Sequence, residues 1–123
     1  VHLAAGRALA PLRDEGVLIV GSGGAVHNLG KLSWHEKSAT ADAWARDFNS
    51  WLKTEVESGK TDNLLQYETK APSLQAAHPS VEHLLPVFLA LGARRDGDRL
   101  RTLYDHFQYK TLSLYSFALE AAG

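Results

Sequence analysis

Gly16-Val17-Leu18-Ile19-Val20-Gly21-Ser22-Gly23-Gly24-Ala25-Val26-His27-Asn28-Leu29 is the stretch on which the fold reading turns. Val17 to Val20 form an unbroken apolar run between Gly16 and Gly21. With helix-like sequence before it and a glycine loop after it, such a run reads as a strand buried on both faces of a parallel sheet. His27 then falls just past the carboxyl end of that strand, where open α/β sheets hold their ligand sites. The expected fold is α/β, with a central, mostly parallel sheet flanked by helices.

Upstream, Val1 to about Asp14 is helix-like, with Leu3, Ala4, Ala8 and Leu12 on one face. Pro11 should bend or stop it, and Gly16 suits a C-cap. The opening residue is Val rather than Met, and no capping residue precedes the helical pattern. The expectation is that residues 1–123 are the C-terminal portion of a larger α/β catalytic domain. Downstream, Trp44, Phe48, Trp51, Leu52 and Val56 recur at helical spacing, predicting a helix over Thr40–Ser58 closed by Gly59. A short helix is expected over Asp62–Glu68 and a loop over Lys70–Pro79. Ser80 would cap a helix running to Leu91, with His83 in its first turn, Pro86 as a bend and Gly92 as its stop. Leu100–Tyr109 and Thr111–Leu119 read as two strands completing the sheet.

Composition narrows the chemistry. The chain has 123 residues, a net charge of −1 and no cysteine. Disulfides, thiolate metal sites and cysteine nucleophiles are excluded, and any metal must be held by His, Asp or Glu. There is no basic block for nucleic acid or an anionic membrane surface. No apolar run approaches the ~20 residues of a membrane helix, and no signal segment opens the chain. A cytoplasmic location is the default expectation, and a homo-oligomer is left open.

Two short regions offer reactive groups. The Gly21–Gly24 loop lacks the Gly-Lys-Ser/Thr ending of a phosphate loop, and Val26 stands where a dinucleotide fingerprint needs its last glycine. It reads instead as a turn that brings the backbone close to a site and presents His27. The second region, His78-Pro79-Ser80-Val81-Glu82-His83-Leu84-Leu85-Pro86, holds three metal-capable groups. On a helix, the adjacent Glu82 and His83 would point about 100° apart and so would not share one ion. A lone histidine is more often a hydrogen-bonded structural residue than a ligand, so neither region decides the chemistry alone. Phe48, Trp44 and Trp51 are expected in the core, whereas Trp34 could line a pocket. His35 and His106 are expected to face solvent. Arg94, Arg95 and Arg99 are read as a solvated loop, and Asp96 and Asp98 as surface charge.

Taken together, the strand–turn–His27-Asn28-Leu29 motif, the Pro79–Pro86 motif with Leu91-Gly92-Ala93, and the spacing between the two resemble the C-terminal half of class III extradiol ring-cleavage dioxygenases, in the branch that acts on DOPA. Trp44, Phe48 and Asn49 resemble the family's intervening helix, and Thr111–Ser116 its closing strand. The resemblance covers essentially the whole chain.

That resemblance implies an oxidoreductase that opens a catechol ring beside its two hydroxyls, using O₂ and one non-haem divalent metal. Iron(II) is the implied ion, and zinc(II) can occupy related sites. His83 corresponds to a metal ligand. His27 corresponds to the acid/base beside the metal, sometimes counted as a ligand. Ser22, Gly23, Asn28 and Trp34 are the substrate-pocket candidates. The remaining ligands would come from the N-terminal half of the same protein or from a complementary chain, so this chain alone is expected to be inactive. The rival readings are a zinc-binding family member without dioxygenase activity, and a piece with no catalysis of its own.

Overall fold

The computed structural model describes residues 1–35 and 40–121. Helix α1 spans His2–Leu9 and passes into a 3-10 segment over Ala10–Glu15, with Pro11 at the change of winding. A proline there ends regular α-helical bonding because it has no N–H to give. Gly16 closes the segment in the left-handed conformation, φ 78°.

Val17–Val20 is not a buried strand. Among the described residues, no backbone hydrogen bond joins residues 18–23 to another segment, and Leu18 is 84% exposed. A strand needs a second backbone to complete its ladder. Hydrophobicity records what the run can bury against, but it supplies no partner.

Helix α2 spans Ala43–Ser58 and is the spine of the molecule. Phe48, Leu52 and Val56 stand four residues apart on one stripe and are all buried. Each such side chain contributes about 1.5–3 kcal/mol by leaving water. The helix begins three residues later than Thr40, at an N-cap Asp42 whose side chain makes no capping bond, and ends at Gly59 with φ 73°. The next segment divides into two single turns, α3 (Asp62–Leu65) and α4 (Tyr67–Lys70). The expected loop to Pro79 contains a further turn, α5 (Leu74–Ala77).

The helix expected from Ser80 starts later. Residues 82–85 form turns, and α6 spans Pro86–Gly92. Pro86 is therefore the first helical residue rather than a bend, a position where its missing N–H costs nothing. His83 lies in the turn before the helix, not in its first turn. Helices α1 and α6 cross where Gly6 meets Gly92. A Cβ on either would collide with the other helix's backbone, so glycine sets their separation.

The sheets are small and antiparallel. Strand β1 (Arg99–Tyr104) pairs with β4 (Ser116–Glu120), and β2 (Phe107–Gln108) pairs with β3 (Leu112–Ser113). The two long strands expected here are thus each broken in two. Among the described residues there is no parallel pair; the architecture is mixed helix with two antiparallel ribbons.

Asp98 corrects a second expectation. It is buried, and Arg13 donates to both of its carboxylate oxygens, at 2.6 and 3.1 Å. Arg13 also reaches Ala93 O and Leu119 O. Arg95 clamps Asp14 and Ala10 O. These arginines tie the 3-10 segment to the α6–β1 connection and to β4.

Candidate active site

The two histidine-bearing regions meet. Gly24 N donates to His83 O at 2.9 Å, and His27 N donates to Ala77 O at 3.0 Å. Asn28 Nδ2 donates to Ala76 O at 2.8 Å. His78 Nε2 lies 2.8 Å from Ala25 O. Residues 24–28 are thereby zipped to Ala76, Ala77, His78 and His83. On the other side, Ser113 N donates to Val26 O at 3.3 Å, so β3 backs the same turn.

The close approach depends on Gly23. A Cβ there would strike the His83 carbonyl. The glycine's use is spatial, since its φ is not positive.

The zipper's product is a stacked pair. The His27 and His83 rings lie 3.6 Å apart, centroid to centroid, at 19° to one another. His83 is 42% exposed at its side chain, and Glu82 Oε1 lies 4.0 Å from its Nε2. Glu82 is more exposed still and accepts a 2.7 Å hydrogen bond from Ser80 Oγ. That bond holds the Glu82 carboxyl below the usual carboxylate range.

Imidazole nitrogens are donors for zinc and non-haem iron, and imidazole is also the commonest general acid/base near neutrality. Both roles fit this pair. A full donor set does not follow, because no group of three or more His, Cys, Asp or Glu converges on one point among the described residues.

The pocket candidates separate. Ser22 and Gly23 line a groove of about 500 Å³ that runs from His83 along residues 17–25 to β4. Asn28 has a structural use: its Oδ1 accepts from Gly30 N and caps the turn over Leu29–Lys31, while its Nδ2 holds Ala76 O. Trp34 is 59% exposed and packs on Tyr109 at 4.9 Å, away from that groove.

His78 is what the sequence reading undervalued. It is 1% exposed, its ring lies 5.1 Å from Phe48, and burial pushes its pKa down. Its place beside Pro79, in the same motif as His83, was the available signal. Its partner, the Ala25 carbonyl, lies far off along the chain and left no trace in sequence.

Comparison with known proteins shows the family. A family model described as the catalytic LigB subunit of aromatic ring-opening dioxygenase matches residues 2–119. The chain is similar to a 4,5-DOPA dioxygenase extradiol of Beta vulgaris, 38% identical over 94% of this chain and 42% of the relative. It is likewise similar to that of Portulaca grandiflora, 39% identical over the same shares. The Escherichia coli K12 enzyme of that name is 35% identical over 94% of this chain and 43% of its own length. A crystal structure of an uncharacterized Escherichia coli K12 protein superposes with a TM-score of 0.79 at 33% identity, over 94% of this chain and 48% of that one. The chain thus spans less than half the length of the relatives it matches.

Proposed function

Because the chain belongs to the LigB family of aromatic ring-opening dioxygenase subunits, we propose that it supplies part of the active site of an extradiol catechol dioxygenase. The reaction is insertion of O₂ beside the two hydroxyls of a small catechol such as DOPA, with both oxygen atoms retained in a ring-opened semialdehyde acid. The observation that carries the reading is the stacked His27–His83 pair, built by two distant motifs.

The fit to a divalent metal is partial. His83, on its turn locked by the Gly24 bond, would be a fixed ligand, and His27 stands beside it as second ligand or as acid/base. Two imidazoles suit iron(II) or zinc(II) but leave the donor set incomplete. A non-haem metal held there would acidify a catechol hydroxyl and bring O₂ beside the ring. The chain's own contribution is a proton relay: a free nitrogen of His27 accepts the hydroxyl proton and returns it to the product. Ser22 and Gly23 place their wall of the groove against the substrate.

The remaining ligands would come from the part of the family domain that this chain does not span. Its contact surface would be the exposed apolar run Val17–Val20, whose backbone from Leu18 onward makes no backbone hydrogen bond to another described segment. An extended segment laid there would complete a ladder and bury Leu18 and Val20. On this reading residues 1–123 would form the C-terminal part of a catalytic domain.

Oxygen uptake with DOPA after anaerobic iron(II) loading tests this. The chain alone should show no turnover. Joined to the rest of a family domain it should consume O₂ and release ring-opened product, and His27→Ala or His83→Ala should each abolish it. Turnover by this chain alone would refute the shared site. A completed domain that binds zinc but consumes no O₂ would refute ring opening.

A further inference from the structure

We infer that His78 is a positioning residue, whose Nε2–H, donated to Ala25 O, holds the glycine turn at the height where the His27 ring meets His83. The inference rests on reading that pair as the functional site. It is nonetheless read out without metal, catechol or O₂, so the two can fail separately.

His78 is 1% exposed and wedged between the Phe48 ring and the turn. A carbonyl oxygen can only accept, so the 2.8 Å contact with Ala25 O requires the proton on Nε2. Nδ1 is then a bare acceptor, and it has no partner among the described residues. The alternative tautomer would leave a buried lone pair facing a carbonyl oxygen, losing the bond and adding repulsion. Burial also disfavours the charged ring, which would strand a second N–H. One neutral tautomer therefore satisfies the site.

Its placement makes this bond specific to the turn. Ala25 O is held by the His78 side chain, and His27 N is held by Ala77 O, one residue before His78. The two anchors bracket Val26 and leave the His27 backbone little freedom. Of the four bonds in the zipper, two join backbone to backbone, and Asn28 acts beyond His27. His78 also packs on Phe48 of the core helix α2, so its bond ties the turn to that helix beside the link through Ser113, which bonds both Val26 O and Asn49.

Three variants separate positioning from filling. His78→Gln can present an amide N–H near the place of Nε2. His78→Phe keeps a ring against Phe48 but donates nothing. His78→Asn is too short to reach. The readout is the nuclear Overhauser cross-peak between the His27 and His83 ring protons, with thermal denaturation as the check on folding. We expect the cross-peak in the unaltered chain and in His78→Gln, and its loss in folded His78→Phe and His78→Asn. Retention of the cross-peak in His78→Phe would overturn the inference. So would its loss in His78→Gln to the same degree as in His78→Phe. Should the Phe and Asn variants not fold, the ring ¹⁵N spectrum of the unaltered chain still decides. A neutral His78 with its proton on Nε2 supports the inference, and a proton on Nδ1 overturns it.

Discussion

At Gly23 a single hydrogen atom in place of a methyl group decides whether two motifs can touch. Gly23→Ala would drive a Cβ into the His83 carbonyl. Overpacking of that kind costs about 1–3 kcal/mol. We expect that loss in chemical denaturation, together with separation of the His27 and His83 rings. His78 gives a pH dependence at the same scale. Its ordinary value is 6.5, and burial lowers it in the folded chain. The unfolded chain therefore takes up the proton first as pH falls. The stability His78 contributes is fully present above pH 6.5 and drains below it, toward the folded-state value. Denaturation curves across that window should slope for the natural chain and flatten for His78→Gln. The segments that bring the His27 and His83 rings together are marked in the sequence by glycine and proline. The function of His78 is not marked there, because it depends on a carbonyl that only the tertiary structure brings near.

Elements were legible where local chemistry alone determines them. Gly16 and Gly59 end their helices as a left-handed cap requires, and the spacing of Phe48, Leu52 and Val56 marked α2 correctly. Elements that depend on a distant partner were misread. Val17–Val20 has the composition of a buried strand, yet β1 pairs with β4 and no described backbone pairs with residues 18–20. Pro86 looked like a flaw within a helix that had been started too early; with the start moved to Pro86 it becomes a preferred first residue. Asp98 looked like surface charge, and Arg13, far away in sequence, makes it a buried anchor. Removing one partner of such a pair strands the other, at a cost of about 3–5 kcal/mol. Asp98→Ala should lower unfolding stability by that order, read from denaturant midpoints at unchanged slope. The Arg13 hydrogen bond holds the Asp98 carboxyl below its ordinary 3.8. Its contribution is therefore present above pH 3.8 and lost only as pH falls through the lower folded value.

Across the whole molecule, the exposed apolar run Val17–Val20 and His83 lie along one groove that reaches β4. No helix among the described residues is long and apolar enough to cross a membrane. Leu18→Ser should change the stability of this chain by no more than about 0.5 kcal/mol, as for an exposed position, while weakening its association with the rest of a family domain. Pull-down by that complementary part, set beside a denaturation curve, would show both. The central claim is that His27 and His83 form one site, and zinc titration followed by ring resonances of both histidines tests it most directly. The account predicts that the two sets of signals move along a single weak, saturable isotherm, and that His27→Ala or His83→Ala abolishes the response of the other ring. Independent midpoints, or movement of only one ring, would contradict it.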